Sequence, residues 1–250
     1  MCKECGCDTD NERTYFGKSD EHSHDHPHDH DHEGTSRTIT LEKRVLERND
    51  QLADKNRKWL AERQVMAVNL ISSPGSGKTT LLEKTLDALK GKLPCAVIAG
   101  DQQTDNDARR LSGKGAPVHQ IETKSACHLD ARRVGFLLPD AVPAGIRLLF
   151  IENVGNLVCP AAFDLGENFK IALLSVTEGE DKPEKYPALF SMSPVVLITK
   201  TDLIPHLDWD RDACLDMIRR IRPDAKIIEL SAKTGEGMDE WIGYLKQLTT

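Results

Sequence analysis

The chain has 250 residues, 39% of them hydrophobic and 29% charged, and a net charge of −7. Such a length holds one full domain with appendages or two small ones, with enough apolar content for a packed core. Residues 1–37 carry ten acidic side chains against Lys3, Arg13, Lys18 and Arg37, so −6 of the charge lies there and residues 38–250 carry only −1. A nearly neutral remainder excludes a basic face that neutralises nucleic-acid phosphates, and no apolar run approaches the length of a membrane span.

Residues 1–37 lack the apolar side chains to build a core and are expected to form a tail that is disordered without metal. Two ligand groups stand out in it. Cys2, Cys5 and Cys7 crowd three thiolates together, and removal of Met1 would add the Cys2 amine as a fourth donor. That nitrogen and sulfur set suits square-planar Ni²⁺, and tetrahedral Zn²⁺ accepts the thiolates too. His22, His24, His26, His28, His30 and His32 alternate with Ser, Asp and Pro. Imidazoles among carboxylates gather divalent cations, which predicts metal storage or buffering rather than a fixed geometry. The seven cysteines of the chain are an odd number in a protein too large to need disulfide staples, and the N-terminus lacks the basic and apolar regions of a secretory leader. A reducing cytoplasm, with thiols free for metals, is the expected setting.

Residues 38–63 are expected to be helical from the spacing of Ile39, Leu41, Val45, Leu46, Leu52, Trp59 and Leu60, with Asn49-Asp50 as the point where the helix could break. Over residues 64–250 strands and helices alternate. Short apolar runs read as buried strands at Val65–Ile71, Cys95–Ala99, Val118–Ile121, Leu148–Ile151, Ile171–Val176, Val195–Ile198 and Ile227–Leu230. Helical patterns lie near Leu81–Leu89, Leu129–Leu138, Arg211–Ile221 and Met238–Leu248. The alternation predicts an α/β domain with a mostly parallel sheet flanked by helices, whose ligands bind at loops beyond the carboxyl ends of the strands.

Ser72-Ser73-Pro74-Gly75-Ser76-Gly77-Lys78-Thr79 follows the first of these strands and opens a helix. It reads as a phosphate-binding loop, with Ser72 where the usual pattern begins with Gly. Small residues let backbone N–H groups wrap phosphates at a helix N-terminus, which assigns Gly75, Ser76, Gly77 and Thr80 to nucleotide binding. Lys78 would reach the β- and γ-phosphates, and the Thr79 hydroxyl would take Mg²⁺. A plain Gly-Ser turn is the alternative, and the Gly-Lys-Thr-Thr run between strand and helix disfavours it.

Thr199-Lys200-Thr201-Asp202, after the sixth strand, resembles the Asn-Lys-x-Asp guanine motif of GTPases, with Thr199 in place of Asn. The Asp202 carboxylate can accept from both N1–H and N2–H₂ of guanine, a donor pair that adenine lacks. The Lys200 stem would lie across the base. Ser231-Ala232-Lys233, after the last strand, resembles the second guanine-contacting motif. Asp101, after the second strand, and Glu152, after the fourth, are candidate Mg²⁺ ligands and catalytic acids. In Glu152-Asn153-Val154-Gly155, the N–H of Gly155 could sense the γ-phosphate. Cys127-His128 follows the third strand and Cys159 follows the Glu152 loop, so a metal held by all three would lie at the nucleotide edge of the sheet. Cys95 and Cys214 read as small buried residues.

Taken together, the Cys-x-x-Cys-Gly-Cys start, the His tract, Ser-Ser-Pro-Gly-Ser-Gly-Lys-Thr-Thr and Glu-Asn-Val-Gly-Asn-Leu-Val-Cys-Pro resemble the HypB family. These are P-loop GTPases of the SIMIBI class that assist nickel insertion into nickel–iron hydrogenase. The resemblance covers essentially the whole chain, with Phe150–Glu167 its most specific stretch. It implies slow GTP turnover, a homodimer promoted by nucleotide or metal, a HypA-type metallochaperone partner and a hydrogenase large-subunit precursor as recipient. It also implies a tight nickel site at Cys2, Cys5 and Cys7, and a nucleotide-coupled nickel or zinc site at Cys127, His128 and Cys159. Two rival readings are a urease-accessory GTPase, disfavoured because that type shows Cys-Pro-His where this chain has Cys127-His128, and a nickel-storage protein with an incidental nucleotide domain.

Overall fold

The computed structural model describes residues 33–101, 106–123 and 126–249. Cys2, Cys5, Cys7 and the six alternating histidines lie outside the described residues. Helix α1 (Glu33–Glu62) leads into strand β1 (Met66–Ser72), helix α2 (Lys78–Leu89), β2 (Cys95–Asp101), α3 (Asn106–Leu111) and β3 (Val118–Glu122). Then come α4 (Ala131–Ala141), β4 (Leu148–Glu152), the short α5 (Cys159–Ala162) and β5 (Phe169–Ser175). The chain ends through α6 (Lys182–Lys185), α7 (Pro187–Met192), β6 (Val195–Thr199), α8 (Arg211–Ile221), β7 (Lys226–Glu229) and α9 (Met238–Leu248).

The strands form one seven-stranded sheet in the order β3-β2-β4-β1-β5-β6-β7, and its pairings run parallel. Parallel strands need crossovers, and the crossovers cover both faces, which is why inner strands such as β4 and β6 read as apolar runs while the edge strands β3 and β7 carry polar residues. The pleat splits each run between two cores. Val68, Leu70, Leu148 and Phe150 face α2 and α9, where Leu82, Leu86, Trp241 and Leu245 close over them. Ala67, Leu149 and Ile151 face α1 and α4, against Leu60, Val134 and Leu138. A third cluster under α7 and α8 covers Ala172, Leu174 and Ile198. The indole N–H of Trp241 donates to the Thr85 hydroxyl at 2.9 Å, so the polar atom of that large buried side chain is satisfied inside the first core.

Helix α1 differs from its sequence expectation at two points. It begins at Glu33, inside the segment assigned to the tail, and it runs unbroken through Asn49-Asp50. Asn49, Ala53, Asn56 and Leu60 share one face of the helix and are all buried. The two asparagines are ties rather than breaks. Asn49 accepts from the Ala131 N–H at 2.9 Å and donates to the Asp164 carbonyl at 2.7 Å. Asn56 donates to the carbonyls of Ala131, at 2.7 Å, and Leu165, at 2.9 Å. One helix face thereby staples the start of α4 to the segment after α5.

Candidate nucleotide and metal site

Strand β1 stands between β4 and β5, where successive crossovers leave in opposite directions, so the loop after β1 opens into the crevice of the sheet. That loop runs from Ser73 to Gly77 and caps α2. Gly77 holds φ at 92°, a left-handed conformation that a side chain would strain, and it turns the chain directly into the helix. Ser76 donates through its hydroxyl to the Ser72 hydroxyl at 2.6 Å, which closes the base of the loop. Above it lies a cleft of about 580 Å³ lined by Gly75, Lys78, Thr79, Asp101, Glu152 and Gly155 among others.

Within the cleft the Thr79 hydroxyl donates to Glu152 Oε1 at 2.6 Å, and Lys78 Nζ stands 3.9 Å from the same oxygen. Glu152 is buried at the end of β4, so its charge is held by these neighbours rather than by water. Gly155 packs against the phosphate loop so closely that a Cβ would meet the Pro74 backbone at 3.0 Å. Asp101 ends β2 and faces the same space. These five sequence-assigned residues are therefore brought together.

A second, smaller cavity of about 240 Å³ adjoins the first and is bounded by Gly77, Thr80, Lys200, Asp202, Ser231 and Ala232. The Thr199 hydroxyl donates to the Ser76 carbonyl at 2.7 Å, and Lys200 Nζ donates to the Gly75 carbonyl at 2.6 Å. Thr199 thus ties the loop after β6 to the phosphate loop. Ser231 donates to Asp202 Oδ1 at 2.6 Å and accepts the Lys233 and Thr234 N–H groups, both at 3.2 Å. With Lys233 Nζ 3.7 Å from its other oxygen, the Asp202 carboxylate is held as an acceptor at the cavity wall.

At the far side of the Glu152 loop, Cys127, His128 and Cys159 place one ligand atom each within 4.8 Å of one another. The two sulfurs are 3.0 Å apart and no disulfide joins them; Cys127 Sγ is 3.7 Å from His128 Nδ1. Two soft thiols and an imidazole form a donor set that fits nickel or zinc, with a coordination position left over. The His128 ring is buried and stacked on Phe163, centroids 3.8 Å apart, so its donor nitrogen is aimed by packing. By contrast, burial pushes the Cys95 and Cys214 thiols up to about 12, which keeps both protonated.

Several side chains that build this site were not singled out from sequence. Asn156 donates to the Cys127 carbonyl at 3.4 Å and accepts the Val158 N–H at 2.9 Å, bridging the two ligand loops. Asn153 accepts the N–H of Leu129 at 3.3 Å and that of Val154 at 3.0 Å. Phe163, stacked on His128, belongs with them, and the buried pair Glu167 and Lys170 lies behind the site without lining it. Isolated Asn, Phe and Glu carry no spacing signal; only their place inside Phe150–Glu167, beside a nucleotide motif and a cysteine, could have drawn attention to them.

A parallel sheet with a phosphate loop on its switch strand defines a P-loop nucleotide-binding protein, here with a sulfur and imidazole cluster on the same sheet edge. Residues 66–229 match the family model described as the CobW/HypB/UreG nucleotide-binding domain. The hydrogenase maturation factor HypB of Azotobacter chroococcum is 52% identical over 212 residues, covering 85% of this chain and 70% of that one. The crystal structure of HypB from Archaeoglobus fulgidus superposes with a TM-score of 0.77 at 38% identity, covering 82% of this chain and all of the other. HypB from Helicobacter pylori, crystallised in complex with nickel, matches with a TM-score of 0.75 at 36% identity, over 80% of this chain and 94% of that one. The chain belongs to the HypB family of hydrogenase maturation factors. Among the described residues, no helix is long and apolar enough to cross a membrane.

Proposed function

We propose that this chain hydrolyses GTP slowly and uses the nucleotide to gate nickel delivery to the large-subunit precursor of a nickel–iron hydrogenase. The observation that carries the reading is the Cys127, His128 and Cys159 cluster, whose Cys159 arm is the continuation of the loop that starts at Glu152 in the phosphate cleft. The nickel-bound relative supports nickel as the cargo. The same donors accept zinc.

On this reading the residues take the following roles. Backbone N–H groups of Gly75 to Thr80 wrap the phosphates at the head of α2, and Lys78 turns from Glu152 to the β- and γ-phosphates. Thr79, Glu152 and Asp101 supply hard oxygen donors that fit Mg²⁺, which when bound neutralises phosphate charge. Asp202 and Ser231 read the guanine edge, while Lys200, Thr199, Ala232 and Lys233 frame the base. Gly155 reports the γ-phosphate to the loop that leads to Cys159. Cys2, Cys5 and Cys7 hold nickel tightly, and His22, His24, His26, His28, His30 and His32 buffer it. The chain works in the cytoplasm as a homodimer promoted by nucleotide or metal, beside a HypA-type metallochaperone.

Phosphate release from GTP by the full chain, in competition with ATP, tests the reading. Lys78→Ala should lose at least about 100-fold in turnover, as expected when a phosphate-positioning charge is removed, and should keep nickel on the N-terminal thiols. Cys127→Ala should keep turnover and lose the dependence of metal affinity on nucleotide. Unchanged turnover in Lys78→Ala, or equal use of ATP, would sink the assignment.

A further inference from the structure

Among the described residues, Glu167 and Lys170 form a buried charged pair outside the phosphate cleft and the thiol and imidazole cluster. Both are about 5% exposed, with Lys170 Nζ 4.0 Å from Glu167 Oε1. Burial pushes the Glu167 carboxyl up and the Lys170 ammonium down, and each charge opposes the shift of the other. Keeping such a pair inside a core is a poor route to stability, because two desolvated charges rarely outperform two apolar side chains of similar volume. Its hydrogen bonds suggest another use.

Glu167 Oε1 accepts from Asn69 Nδ2 at 3.1 Å, and Oε2 accepts the Leu165 N–H at 2.7 Å. Asn69 Oδ1 accepts from Asn153 Nδ2 at 3.2 Å, and Asn153 follows Glu152 directly. On the other side, Lys170 Nζ donates at 2.5 Å to the carbonyl of Ala161, in the four-residue helix that starts with Cys159. Asn153 also accepts the N–H of Leu129, the neighbour of His128. One buried polar chain therefore begins beside the carboxylate that holds Thr79 and Lys78, and ends on both backbone segments that carry the metal ligands.

We propose that Glu167 is a positioning residue that, through Asn69 and Lys170, transmits the state of the Glu152 loop to the Cys127, His128 and Cys159 site. This rests on the reading of the two sites as linked. The switching element is Glu152. Its present partners, Thr79 and Lys78, are the groups a phosphate-bound cation and the phosphates would claim, so its hydrogen bonds differ between the two states. A shift of the Glu152-Asn153 backbone passes through Asn153 and Asn69, and the core around them is too closely packed to absorb it locally. Glutamate suits the central position because its carboxylate accepts from both sides at once. A glutamine presents one oxygen and one NH₂, and so accepts from Asn69 or from Leu165 but not from both.

Linkage is reciprocal, so coupling can be read from the nucleotide side, where the N-terminal metal ligands do not interfere. The Kd of a non-hydrolysable GTP analogue is measured on the full chain with and without Ni²⁺, with Cys127→Ser as baseline. The wild-type ratio should be about fivefold or more, the lower end of typical allosteric coupling. Glu167→Gln should bring the ratio close to the Cys127→Ser baseline, with the metal-free Kd unchanged. If Glu167→Gln does not accumulate as folded protein, the uncharged pair Glu167→Gln with Lys170→Met carries the same test. A variant that melts at a lower temperature yet keeps the wild-type ratio makes Glu167 mere scaffolding and overturns the proposal. A wild-type ratio at the Cys127→Ser baseline removes the linked reading itself, and the relay with it.

Discussion

Lys200 is a non-glycine residue held at φ 60° in the left-handed region, a conformation that costs energy for a side chain with a Cβ. The cost is offset by its contact with the Gly75 carbonyl, which places the lysine stem against the phosphate loop at the mouth of the smaller cavity. Beside it, Asp202 is aimed by Ser231, and its loss is predicted to be selective. Asp202→Ala should weaken GTP binding by about 2 kcal/mol, the range of a lost charge-assisted hydrogen-bond pair, and leave the weaker ATP binding unchanged in a competition titration. The motif residues were legible from sequence because short spacing and a fixed place after a strand are enough to recognise them. Asn153, Asn156 and Phe163 were not, since their partners at Leu129, Cys127 and His128 are brought near only by the folded sheet edge. Cys95 and Cys214 allow a pH prediction. Each thiol is raised by burial from 9.0 to about 12, so each contributes stability below pH 9 that is lost as pH rises toward 12. The urea midpoint should fall over that window, and Cys95→Ala with Cys214→Ala should flatten the fall.

At the level of elements, the inner strands were legible because parallel strands buried on both faces leave continuous apolar runs, and the edge strands β3 and β7 by shorter apolar stretches between turns. The shortest helices were not. Four residues at Cys159–Ala162 or Lys182–Lys185 are barely one turn, too few to show a helical period. Helix α1 shows a different failure of local reading. Asn49-Asp50 looks like a break in sequence, yet Asn49, like Asn56 further along the same face, is bonded to backbone groups 75 or more positions away. No window along the chain contains that information. Asn56→Ala removes two buried bonds and leaves the Ala131 and Leu165 carbonyls short of donors, so it should cost about 1–3 kcal/mol in urea unfolding. Asn56→Asp, which offers no N–H to either carbonyl, should be no better than alanine in the same measurement.

For the molecule as a whole, the phosphate cleft and the Cys127, His128 and Cys159 cluster share one sheet edge, and a ligand that binds only the folded chain stabilises all of it. GDP with Mg²⁺ at about 100 times its Kd should add about 2.7 kcal/mol. For a chain of this length that corresponds to a rise of about 5–10 °C in thermal midpoint, with ATP at the same concentration giving far less in the same melt. The stapling of α1 also bears on the order in which the protein is made. Helix α1 leaves the ribosome ahead of the sheet, but its polar anchors meet only Ala131, Asp164 and Leu165. Until synthesis has passed residue 165, β1 and α4 can cover its apolar face, but the second bond of each asparagine has no acceptor. The helix that precedes the sheet is therefore fully tied down only after the chain has extended past α5. A nascent chain arrested before that point would hold its first helix by Ala131 alone among these polar ties.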